Sequence, residues 1–376
     1  MNTLITKKTA VLQKETAPKG IISNSDKNAL YPGRGGDFKG SSEKEHLSLT
    51  KSKVSAFRLA VWSGVLIFAA YLLTHPRVSF NAVEGALNLC LKTLIPSLFP
   101  FMVAGELLLL SGFPDTAQRY FGKTFNKVFG LNGKGAAVFV IGAFCGFPVG
   151  AKTAASLYAS GDISREDAEK LSGICNNAGL GFLVSGVGAG IWGSTKLGAL
   201  IYLSQIISAI LAGALLFGSQ KNGSTGTAKD GYDVTHNKDF TLSGALSSAV
   251  SSASLSMLKV IGFVVFFEVM LSAFSEVLIS LGANTLTVSL ICAFTEISSG
   301  VKSLHTLSLL PSPLWTKAAK ILTFTFSAFG GLSVYMQYCA FATPAGLGTG
   351  TYLKTKFTQA ALCTLIGTAL VLFGII

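Results

Sequence analysis

Between Gly142 and Lys152 the chain reads GAFCGFPVGAK, which puts three glycines, a proline and a lysine inside an otherwise apolar segment. A helix that crosses lipid must satisfy its own backbone N–H and C=O groups. If it is interrupted at membrane depth, the freed groups have to be buried in protein or line a polar cavity. The exposed N–H end also carries partial positive charge and attracts anions. Gly142, Gly146 and Gly150 lie four residues apart and form a stripe of small residues suited to close packing. Pro148 lacks a backbone donor and bends the chain. Neither feature accounts for Lys152, because a lysine at mid-bilayer costs at least ~2.5 kcal/mol.

The pattern recurs. CAFTEISSGVK, from Cys292 to Lys302, follows the first stretch at an offset of 150 residues and matches Lys152 with Lys302. The same offset pairs Lys170 with Lys320, Ala178 with Ala328 and Gly181 with Gly331. Downstream, SQIISAILAG (Ser204 to Gly213) aligns with TQAALCTLIG (Thr358 to Gly367). Upstream, FMVAGELLL aligns with FVVFFEVML and sets Glu106 opposite Glu268. Apolar composition alone would not match Glu with Glu and Lys with Lys. Two related halves with Gly/Pro-interrupted segments in corresponding positions are the pattern of a secondary transporter's central site.

Composition fits this reading. Half of the 376 residues are apolar and 13% are charged, against roughly 25% charged in soluble domains. Several apolar runs reach the ~20 residues needed to cross a bilayer. The expectation is an all-α polytopic membrane protein with two homologous halves containing broken or re-entrant helices, and about 8–9 membrane segments. The net charge of +12 sits largely in the first 55 residues and in short loops, where it acts as a topology signal favouring a cytoplasmic N-terminus. It does not imply nucleic acid. The expected divisions are a disordered cytoplasmic tail (1–55), a first span and first repeat (56–217), a polar linker (218–243) and a second repeat (244–376). No signal-peptide pattern opens the chain. Within these divisions, a first span is expected over Phe57 to Leu73 and a second from Ala82 to Ser111, interrupted by Pro96 and Pro100. Ser164, three residues before Asp167, resembles a helix N-cap.

The candidate site residues follow from the breaks. Gly146, Pro148, Gly150, Gly179, Gly181, Gly330 and Gly331 mark the interruptions. Lys152 and Lys302 either snorkel to an interface or point into a shared cavity, where two cations would suit two carboxylates. Asn176 and Asn177 need partners in an apolar medium; they either bond between helices or line a polar path. Phe326 and Ser327 replace them in the second half, so the halves are not equivalent there. Glu106, Glu268 and Glu296 are candidate intramembrane acids. They either bind a coupling proton or cation or form structural ion pairs, such as Glu296 with Lys302.

Other chemistries lack support. The six cysteines are scattered and form no CxxC pair, and no HExxH motif is present, so no metal or cofactor is expected. GAGIWG (Gly188 to Gly193) has no preceding strand and does not read as a dinucleotide motif. No Walker A pattern and no nucleophile–base constellation points to an enzyme.

LIPSLFPFMVAGELL, GAFCGFPVGAKTAASLY and CNNAG together resemble the YlbJ-type sporulation integral membrane proteins. These are grouped with proteins carrying a nucleoside-recognition or Gate repeat, similar to part of the concentrative nucleoside transporters. The resemblance covers roughly residues 57–376. It implies a protein of the outer forespore membrane, made in the mother cell of an endospore-forming bacterium and moving dipicolinic acid, a small aromatic dicarboxylate. Carried over by motif, Gly146, Pro148, Lys152, Asn176 and Asn177 would lie at the first-half site, and Glu296, Ser298, Ser299 and Lys302 at the second. One departure is the absence of a proline soon after the Asn pair, where Gly179, Leu180 and Gly181 stand. The expected partners are a small anion and membrane lipid, with a homo-oligomer allowed. A nucleoside or other solute transporter and a non-transporting scaffold in spore assembly are the alternatives.

Overall fold

A computed structural model of the chain describes residues 42–218 and 241–376, with side chains from residue 55 onward. Most of the expected tail and linker, residues 1–41 and 219–240, lies outside the described residues. The described residues divide into two units between Phe68 and Ala69, and the account below concerns the second. Among the described residues every regular element is helical.

α1 (Ser42–Thr74) starts inside the stretch expected to be disordered. α2 runs from Pro76 to Leu110 and α3 from Phe113 to Phe129. The first repeat follows as α4 (Gly135–Cys145), α5 (Val149–Ala159), α6 (Arg165–Cys175), the π-wound α7 (Phe182–Ile191) and α8 (Thr195–Phe217). α9 (Leu242–Ser280) leads into the second repeat: α10 (Thr285–Thr295), α11 (Ile297–Ser308), α12 (Pro313–Phe329), α13 (Gly331–Ala342) and α14 (Gly350–Leu372). α4 and α10 are both 11 residues long, and α8 and α14 are both 23. The duplicated pattern in the sequence is thus a duplicated order of elements.

Among the described residues, five helices are long and apolar enough to cross a membrane: Ser55–Thr74, Pro76–Leu110, Thr195–Phe217, Leu242–Ser280 and Gly350–Leu372. Three apolar helices are shorter: α4, α7 and α10. An 11-residue helix spans only about 17 Å at ~1.5 Å per residue, too little for the ~30 Å hydrocarbon core. α10 and α11 instead fold back on each other. Ser289 and Ser303 meet at 2.9 Å between hydroxyls, and Gly300 lies so close to Ala293 that a Cβ would fall 2.2 Å from the Ala293 Cα. α4 and α5 close in the same way, with Gly142 and Gly150 flanking one atom, the carbonyl oxygen of Cys175. Both pairs are helical hairpins too short to span a bilayer.

The expected interruption of α2 at Pro96 and Pro100 does not occur. The helix widens to a π-turn over Cys90–Leu94 and then continues through both prolines to Leu110. A proline ring clashes with the carbonyl four residues back, which for Pro96 is that of Lys92. The wide turn moves that carbonyl away.

The short amphipathic α3 carries Arg119, Lys123 and Lys127 on the loop expected to be basic. Lys134, just before α4, bonds to Asp162 and, at 2.9 Å, to Asp115, tying three connections together. Burial opposes its charge, but the hydrogen bonds it donates to Asp162 and Asp115 outweigh burial and hold the Lys134 ammonium above the ordinary lysine range. The Ser164 side chain accepts from the Asp167 N–H at 3.0 Å, the N-cap that the sequence suggested.

Candidate functional site

The break after α6 is set by its neighbours. Asn176 to Gly179 are not helical, so their N–H and C=O groups need partners elsewhere. Gln205 of α8 supplies both: its Oε1 accepts from the Ala178 N–H at 3.1 Å, and its Nε2 donates to the Ala178 carbonyl at 2.9 Å. Gly146, at φ +77°, packs where a Cβ would fall 2.5 Å from the Gly179 nitrogen. The tip of the first hairpin therefore crosses the break after α6 backbone to backbone. A proline after the Asn pair is unnecessary because the glutamine clamp and the glycine contact hold the break open. In the second half Gly330 (φ +88°) and Gly331 (φ +81°) form the break, and Gly331 lies against the carbonyl of Thr295 at the second hairpin's tip. Gly150 and Gly181 sit in helical residues and serve as packing contacts, the latter against the Ser97 carbonyl.

The structure pairs Lys152 with a carboxylate of the chain itself rather than leaving it open to a substrate anion. Its ammonium donates to Glu106 at 2.5 Å, to the Ser252 hydroxyl at 2.6 Å and to the Ser256 hydroxyl at 3.0 Å. All three N–H groups are engaged, and the two pseudo-equivalent lysines do not line the same cleft. Glu106, expected as an ion-coupling acid, is the counter-charge of this pair.

Glu296 and Lys302 form no ion pair among the described residues. Glu296, 1% exposed, caps α11 by accepting from the Ser299 N–H at 2.8 Å. A carboxylate there complements the positive helix end, so that end is already occupied. Glu268 accepts from the Ser299 hydroxyl. Asn176 donates to the Tyr352 hydroxyl at 3.1 Å, while its own carbonyl is buried without a partner. Asn177 accepts from Gln359 at 2.8 Å and from Lys356 at 3.0 Å. It sits in a buried network between the halves.

Lys302 opens onto a cleft of about 390 Å³ together with Lys92, Asn88 and Ser298. Leu89, Phe182 and Ile191 give it apolar walls. Lys92 lies in the π-turn of α2, and such turns often mark functional positions. Both lysines are exposed, and neither has an ion-pair partner among the described residues. The cleft thus lies between the π-turn of α2, the length of α7 and the first turns of α11.

Sequence reasoning missed four residues. Lys92 was visible as a lysine within the apolar run LNLCLKTLIP. Gln205 and Gln359 occupy the same place in the two aligned repeats, SQIISAILAG and TQAALCTLIG. Lys356 carried no comparable signal.

No protein-family model matches the chain, and no solved structure matches it. The sporulation integral membrane protein YlbJ of Bacillus subtilis (strain 168) is 27% identical over 232 residues, covering 58% of this chain. The chain is similar to a YlbJ-type protein. The match bears out the resemblance drawn from the first-half motifs. It spans little more than half of the relative's length, 56%.

Proposed function

We propose that this chain is a sporulation membrane protein that carries a small dicarboxylate, dipicolinate, across the outer forespore membrane from the mother cell. The observation that carries the reading is the cleft in which Lys92 and Lys302, both without counter-ions among the described residues, face a common space between apolar walls. Two ammonium groups match two carboxylates, and Phe182, Leu89 and Ile191 suit a flat ring. The volume is within the range of small-molecule sites. Ser298, 2% exposed, adds a hydroxyl from the first turn of α11. A neutral nucleoside would gain nothing from two cations, which favours the acid over the nucleoside alternative.

The test is made in sporulating cells of an endospore former that lacks its own YlbJ-type protein. Charge-assisted hydrogen bonds contribute ~1.5–3 kcal/mol each, so Lys92→Met with Lys302→Met is expected to lower spore dipicolinate roughly tenfold or more. Membrane levels of the protein should be unchanged. Normal spore dipicolinate in the double variant would refute the site.

A further inference from the structure

Lys356 of α14 is buried, with 1% of its surface exposed. Its nitrogen donates to Asn177 Oδ1 at 3.0 Å and to Gln359 Oε1 at 2.9 Å. These are two neutral acceptors, and an amine has two N–H groups. A third proton would meet only the Tyr352 ring, whose centroid is 6.0 Å away, at the outer limit for a cation–π contact. No carboxylate forms an ion pair with Lys356 among the described residues. An ammonium buried without a counter-charge is costly.

The elements packed on this part of α14 offer little else that titrates. α6 brings Cys175, α14 itself brings Tyr352, and Tyr338 of α13 stacks on Tyr352 at 4.0 Å. The buried residues of α8 and α12 include no ionisable side chain. Glu169 of α6 is engaged with the Gly348 N–H ahead of α14. The Asn177 that holds Lys356 is also part of the break that leads into α7, and Phe182 at the start of α7 walls the cleft. The position is tied to the site through Asn177, and its two neutral acceptors satisfy the amine, so a third proton is held there only while a nearby anion offsets its charge.

We propose that Lys356 is the proton carrier that couples anion movement to a proton gradient: its amine takes up one proton as a dianion crosses the break and releases it on the far side. The inference rests on the transport reading above. The proton enters from the aqueous phase on the side of the anion and leaves with it, so the amine is regenerated each cycle and the net charge moved falls by one per anion.

The full chain in proteoliposomes enclosing a pH-sensitive dye is given labelled dipicolinate. Wild type should acidify the lumen with about one proton per dipicolinate, as single titration of one buried lysine requires. Lys356→Gln should lower that ratio to below about 0.1, while dipicolinate–dipicolinate exchange stays measurable. Asn177→Asp gives Lys356 a permanent counter-charge and should lower the ratio in the same way without removing the amine. Exchange without proton entry in wild type would overturn the inference alone. An undiminished ratio in either variant, or loss of exchange together with net uptake in both, would also overturn it. No exchange in wild type would defeat the transport reading itself.

Discussion

Lys152→Met is expected to deplete the protein from the membrane rather than produce an intact but inactive carrier. The ammonium is the counter-charge of Glu106 at 2.5 Å, and the two side chains are 17% and 11% exposed. Removing one member of a buried pair leaves an unpaired charge and costs ~3–5 kcal/mol, a large part of a typical ~5–15 kcal/mol stability. Replacing both partners with neutral groups removes that penalty, since buried pairs are often dispensable as pairs. Glu106→Gln with Lys152→Met should therefore recover most of the folded protein, measured as the monodisperse fraction after detergent extraction. If Lys152→Met instead left abundance intact and abolished dipicolinate uptake, Lys152 would contact substrate, as the sequence alone allowed.

Gly142→Val and Gly150→Val are expected to be at least as damaging. A Cβ at either position would fall 2.1 or 2.2 Å from the Cys175 carbonyl oxygen, where the neighbour is backbone and cannot swing away. Overpacking a well-filled interior typically costs ~1–3 kcal/mol and occasionally more. Here it also pries the first hairpin away from the break that Gln205 clamps. Gly262→Ala on α9 is the control, because nothing lies within 4 Å of the added atom. Melting followed by size-exclusion fluorescence should show both valine variants collapsed and the control close to wild type. Wild-type melting in either valine variant would mean that the hairpin does not cross the α6 break as described.

Much of this architecture was legible in the sequence because breaking a helix in an apolar segment requires unusual residues. Gly146, Pro148, Gly330 and Gly331 mark real interruptions, and the offset of 150 residues reappears as equal lengths of α4 and α10. What could not be read is which of two matched residues meets which partner. Lys152 and Lys302 occupy equivalent places, yet the first has Ser252, Ser256 and Glu106 around it and the second opens on a cleft. That difference lies in α2 and α9, far away along the chain. In the same way, Pro96 looked like a break because the π-turn ahead of it depends on local geometry more than residue type. Lys356 was passed over as one cation in a span of ordinary polar residues. Its importance depends on Asn177, 179 residues earlier.

The central claim is that Lys92 and Lys302 together hold a dicarboxylate beside the two breaks. Titration calorimetry of dipicolinate into the purified full chain tests it most directly. The account predicts saturable binding that weakens roughly tenfold or more with either lysine changed to methionine, for the loss of one charge-assisted contact, and that is lost when both are changed. Equal affinity in wild type and the double variant would contradict it.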